Sequence, residues 1–167
     1  GNFAGTTGQV CVANGTSVPH WENPQYSSIW YQNAPVQDMN GSGTVSLMTT
    51  GLVDLANPNI TYLAGVWTLA EAGLYNIIFQ TDPTTVGAGA STRINFRING
   101  TYQGSVITTV TPSVQSITLD KTYRLNAGST VEVISQPKVA GIINTSGSDD
   151  NGAATTVLTI TRIGAYV

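Results

Sequence analysis

Residues 93–99, RINFRIN, alternate without a break. Ile94, Phe96 and Ile98 fall on one side; Arg93, Asn95, Arg97 and Asn99 fall on the other. That period of two predicts a half-buried antiparallel strand, apolar face inward and polar face in water. Asn99-Gly100 follows, the strongest short hairpin signal, so the chain should return through residues 102–110. A different pattern fills 65–79, GVWTLAEAGLYNIIF. Leu69, Ala70, Glu71 and Ala72 are helix formers, but Gly73 stops the run after four residues, too few for a stable helix. Strand formers flank it: Val66, Trp67 and Thr68 before, Tyr75, Ile77, Ile78 and Phe79 after. The expectation is strand, corner at 71–73, strand.

The same reading gives strands at 28–32, 44–48, 52–55, 61–63, 113–119, 123–125, 130–135 and 155–163. Turns are expected at Asn57-Pro58-Asn59, at Asp120-Lys121 and at Asn126-Ala127-Gly128. Residues 1–25 carry one short apolar run, Val10-Cys11-Val12, then Asn14-Gly15, and read as a small hairpin or extended arm. No window holds a 3.6-residue period over ten or more positions. Eight to ten short strands at regular spacing predict an all-β antiparallel sandwich or jelly roll in 26–167, with 1–25 as an arm or anchor.

Composition narrows the function. Of the 167 residues 9% are charged and 41% are hydrophobic, with a net charge of −3. The charged fraction is far below the roughly 25% of ordinary soluble domains, and Thr, Ser, Asn, Gln and Gly take its place. Six Lys and Arg make no basic stripe for nucleic acid or anionic lipid, so neither is an expected partner. One cysteine, Cys11, excludes an intrachain disulfide and a cysteine zinc site. No segment has the apolar length to cross a bilayer as a helix, and residues 1–10 have no signal-peptide pattern.

Candidate chemistry is sparse. His20 is the single histidine, beside Trp21 in the arm, and no Gly-x-Ser-x-Gly elbow accompanies it. Gly87-Ala88-Gly89-Ala90 lacks the Lys and helix of a phosphate loop. Glu71, Asp120 and Glu132 are scattered, so a glycosidase pair would have to be made by the fold. Asp149-Asp150-Asn151-Gly152 has the hard oxygens that suit calcium, without EF-hand spacing. Sequons stand at Asn14, Asn40, Asn59, Asn99 and Asn144, and Asn14 and Asn99 are better explained as turn residues. Neither an enzyme nor a cofactor is expected.

Gly65-Val66-Trp67-Thr68 followed by Ala72-Gly73-Leu74-Tyr75-Asn76-Ile77 resembles the strand-corner-strand centre of the complement/tumour-necrosis-factor-like jelly roll. Ile98-Asn99-Gly100 resembles that family's strand ending in Asn-Gly. Residues 123–131, YRLNAGSTV, resemble its Leu-x-Ala-Gly-Asp-x-Val segment with Ser129 for Asp, and 156–163 its closing strand. The resemblance covers roughly 44–163 and implies a homotrimeric head. Gly5-Thr6-Thr7-Gly8-Gln9-Val10 with Asn14-Gly15, Pro19 and Trp21 resembles a segment of phage and large-virus fibre proteins, with Cys11 in place of Leu and His20 in place of a small polar residue. The two resemblances together imply a virion protein: a trimeric fibre or spike knob, or a capsid decoration, at the virion surface.

Its partners would be itself, other virion proteins through the arm, and a host receptor or glycan. The runners-up are a bacterial or spore-surface head of the same fold and a carbohydrate-binding sandwich, the latter needing exposed aromatics such as Trp30, Trp67 or Tyr102. Partner-binding residues are expected on the long loops 82–91 and 137–154: Asp82, Thr84, Thr85, Lys138, Ser148, Asp149, Asp150 and Asn151. Strands apolar on both faces support self-assembly. Tyr75, Ile77 and Phe79 alternate with Leu74 and Ile78; Leu158 and Ile160 alternate with Val157 and Ile163.

Overall fold

The computed structural model describes residues 9–12, 20–22, 25–32, 45–49, 51–82, 84–85, 91–109, 116–139, 143–144 and 156–164. Fifteen strands run through them: β1 (Val10–Val12), β2 (His20–Glu22), β3 (Tyr26–Gln32), β4 (Val45–Ser46), β5 (Gly51–Leu55), β6 (Ile60–Leu63), β7 (Val66–Leu69), β8 (Gly73–Thr81), β9 (Thr84–Thr85), β10 (Ser91–Ile98), β11 (Thr101–Thr109), β12 (Ile117–Leu125), β13 (Thr130–Val139), β14 (Ile143–Asn144) and β15 (Val157–Gly164). One sheet has the order β11-β10-β13-β7-β6, with β4 also pairing β13; the other has the order β12-β8-β15-β3-β5. Every pairing is antiparallel. β1 pairs with β2 as a separate two-stranded sheet.

The core lies between the two sheets and is made by alternation. Tyr75, Ile77 and Phe79 of β8 and Leu158 and Ile160 of β15 point in from one side, Ile94, Phe96, Val131 and Val133 from the other. Trp30 and Trp67 meet near its centre, ring centroids 5.7 Å apart and edge-on, with Tyr62 5.0 Å from Trp67. The corner expected at 71–73 joins β7 of one sheet to β8 of the other, so these two consecutive strands lie in different sheets. The Asn99-Gly100 hairpin forms with φ of 49° and 77°, the left-handed pair that a two-residue turn between twisted strands needs. Asn99 Oδ1 also accepts from the Thr130 amide at 2.8 Å, which clasps the turn to the start of β13.

Several expectations need correction. Asp120 and Lys121 do not turn; they lie inside the unbroken nine-residue β12, paired with β8 throughout. The second face of 93–99 is not simply wet. Asn95 is buried there beside Ile134, and Arg97 is half-covered and paired with Glu132. Residues 44–48 yield only the two-residue β4. Lys138 sits in β13 rather than in a loop, and Thr84 and Thr85 form β9.

Candidate interaction surfaces

The corner at 71–73 is fixed by side chains of Arg162 in β15, Tyr75 in β8 and Asn59 in the 57–59 turn. Arg162 of β15 is 5% exposed and directs Nε and a terminal nitrogen to the Ala72 carbonyl at 3.3 and 3.2 Å, with Nε 3.5 Å from a Glu71 carboxylate oxygen. The Tyr75 hydroxyl donates to the Glu71 carbonyl at 2.8 Å, so the Tyr26 hydroxyl, 3.0 Å away, donates to Tyr75. Burial, and then the Tyr75 contact, push the Tyr26 phenol far above its usual range; burial also raises Tyr75. Asn59 of the 57–59 turn donates to Glu71 at 3.4 Å, and its carbonyl accepts from Ala70 at 2.8 Å. The Glu71 and Ala72 carbonyls thus each have a partner, and Glu71, read from sequence as a possible catalytic acid, is committed to structure. The signal was absent from the local sequence, because Arg162 lies 90 residues from Ala72.

The outer face of the β12-β8-β15-β3-β5 sheet is the first candidate surface. Register lines up Asp120, Ile78, Thr159, Ile29 and Leu55 across all five strands. A second row holds Thr122, Asn76, Thr161 and Ser27, in which Asn76 donates to Asp120 at 2.7 Å and Ser27 and Thr161 share a hydrogen bond at 2.9 Å. Leu74, Val157 and Ile163 complete the face, and none of its apolar side chains reaches full burial; Leu55 is 47% exposed. β5 extends this sheet as its edge strand and does not fold over the face.

The two long connections expected to bind partners are joined: β9 pairs with β14, Thr85 opposite Ile143 and Thr84 opposite Asn144. Asp82 is half-buried after β8, and Lys138 is exposed on β13. Ser148, Asp149, Asp150 and Asn151 lie outside the described residues, as does Gly87-Ala88-Gly89-Ala90. Of the three aromatics suggested for a sugar platform, Trp30 and Trp67 are 1% and 0% exposed, which removes them; Tyr102 is 45% exposed on β11. No group of three or more His, Cys, Asp or Glu among the described residues could hold a metal ion. His20 and Cys11 lie in the β1–β2 hairpin. A shallow pocket of about 360 Å³ opens between the β10–β11 turn and β12, lined by Ile98, Asn99, Gln103, Tyr123 and Arg124 among others.

Two packed antiparallel sheets with these strand orders define an all-β jelly-roll sandwich of the tumour-necrosis-factor-like type. Among solved structures the chain is similar to murine APRIL at pH 5.0, with 11% sequence identity, a TM-score of 0.60, and 83% of this chain and 100% of that one covered. It is also similar to Eiger TNF from S. frugiperda, with 12% identity, a TM-score of 0.59, and 87% and 96% covered. At such identities the likeness is one of fold. No protein-family model and no curated protein matches the chain.

Proposed function

We propose that this chain is a non-enzymatic, homotrimeric head on a virus particle, a fibre or spike knob or a capsid decoration, held by residues 1–25 and presenting 26–167 to a host receptor or glycan. The observation that carries the assembly is the outer face of the five-stranded sheet, where Ile29, Leu55, Leu74, Ile78, Val157 and Ile163 stand among hydroxyls and amides. A sandwich uses one face of each sheet for its core, and a second, partly apolar face is what a neighbouring subunit covers. The number three and the virion setting come from the family resemblances; the β1–β2 hairpin supports the arm as a separate element.

Light scattering tests the assembly. The 17.5 kDa chain should run near three times that mass at micromolar concentration. Ile78→Asp puts an unpaired charge on the outer face and should give a folded monomer. Ile160, 0% exposed, is the wrong probe, because Asp there would unfold the chain whether or not it trimerises. A folded monomer from the unaltered chain would overturn the proposal. Immunogold labelling of intact particles with an antibody to the head tests the virion setting.

A further inference from the structure

Two sequons, Asn59-Ile60-Thr61 and Asn99-Gly100-Thr101, lie wholly within the described residues, and the fold sets them in unlike places. Asn59 is half-buried in the 57–59 turn. Its Nδ2 donates to the Glu71 carboxylate at 3.4 Å, its carbonyl accepts from the Ala70 amide at 2.8 Å, and Ile60 beside it is buried in the core. A bulky group on Nδ2 there would have to part the turn from the corner at 71–73. Asn99, Gly100 and Thr101 are all exposed at the tip of the β10–β11 hairpin, and a Cβ placed on Gly100 would meet nothing within 4 Å. The Asn99 side chain is held by its oxygen. Oδ1 accepts from the Thr130 amide at 2.8 Å, while the Asn99 backbone N–H donates to the Thr130 carbonyl at 3.0 Å. Nδ2 has one long contact, 3.4 Å to Ser129 Oγ, which uses one of its hydrogens and leaves the other.

We propose that Asn99 is an N-glycan acceptor, modified at Nδ2 by an oligosaccharide carried on a lipid pyrophosphate donor. In that transfer Nδ2 gives up one proton and bonds the C1 carbon of the first sugar. The bond from C1 to the pyrophosphate oxygen breaks, and the lipid pyrophosphate leaves. The product amide keeps its carbonyl oxygen and one hydrogen, so the Oδ1 clasp to Thr130 and the Ser129 contact both survive. Turn residue and acceptor are therefore compatible roles at Asn99. The position also suits a bulky, hydrated group. β10 is eight residues long, about 25 Å, so its Ser91 end, where the connection 82–91 joins, lies far from the tip. The glycan leaves that connection uncovered, and it stands on the sheet opposite the face proposed for self-assembly. What it shields is an edge. β11 ends its sheet with Tyr102 and Ile107 exposed, and an unpaired edge is where another chain can add a strand.

The experiment is secretion of the full chain from insect cells, with mass spectrometry of the folded fraction recovered by size exclusion. Releasing the glycans with an amidase in heavy-oxygen water marks each occupied Asn as a labelled Asp. Asn99 should be occupied in most copies and Asn59 in none. Thr101→Ala removes the sequon and leaves the Asn99 side chain in place; it should abolish the glycan without changing the melting temperature. If Thr101→Ala is not secreted, Asn99→Asp, which keeps the acceptor oxygen for Thr130, takes its place. A folded head with Asn99 bare overturns the site. Asn59 occupied in the same fraction overturns the argument from exposure, and a glycosylated head that melts below Thr101→Ala overturns the surviving clasp. Occupancy is read at the residue, so the result stands apart from the virion and trimer readings.

Discussion

Gly73 carries more constraint than a strand position demands. A Cβ there would sit 2.8 Å from Arg162 Nε and 2.8 Å from the Gly164 carbonyl, so Gly73→Ala must push Arg162 off the corner or spread β8 from β15. A loss of about 1–3 kcal/mol is expected in urea unfolding. The tyrosines beneath that corner give a pH signature. The phenol groups of Tyr26 and Tyr75 are raised in the folded chain relative to about 10 when unfolded. Their contribution is therefore fully present below pH 10 and is lost as the pH climbs above it, because the unfolded chain releases those protons first. Absorbance titration should show Tyr26 and Tyr75 ionising late among the seven tyrosines, together with Tyr123, which burial also raises, and one late group fewer in Tyr26→Phe. If both ionised with the exposed tyrosines, the buried pair would be excluded.

Strands β10 and β8 were legible because each carries its whole signal locally: strict alternation in RINFRIN, and a Gly corner followed by aromatic and branched residues. β12 was not. Its centre, Asp120-Lys121-Thr122, has the composition of a turn, and what keeps it extended is β8, some 45 residues away in sequence, which pairs with every residue from Ile117 to Leu125. Lys121 and Tyr123 instead turn toward β11, where Gly104 is the extra residue of a bulge with φ +65°. The Tyr123 hydroxyl donates to the Gln103 carbonyl at 2.9 Å and so ties the edges of the two sheets together. A Cβ on Gly104 would lie 2.8 Å from that hydroxyl, and Gly104→Ala should cost about 2–4 kcal/mol, strain and overlap together. The same limit hid the candidate sites. The Arg97–Glu132 pair, 35 residues apart in sequence, exists only once β13 is laid beside β10.

For the molecule as a whole, all six Lys and Arg lie in strands: Arg93 and Arg97 in β10, Lys121 and Arg124 in β12, Lys138 in β13, Arg162 in β15. Trypsin needs an opened segment, so cleavage should report the rare unfolding of paired strands rather than loop motion. The protein should survive hours with trypsin at room temperature, and its first cut should fall at Lys121 or Arg124 on the edge strand β12. Quick digestion to small peptides would be incompatible with a closed sandwich. The two-residue ladder between β9 and β14 has another outcome at this scale. It ties the connection between β8 and β10 to the one between β13 and β15 at Thr84-Thr85 and Ile143-Asn144. Lineages that diversify this end would inherit the pair as one cassette, and grafting a foreign sequence into 145–155 alone should retain its spacing from the partner excursion only while Thr85 and Ile143 still face each other.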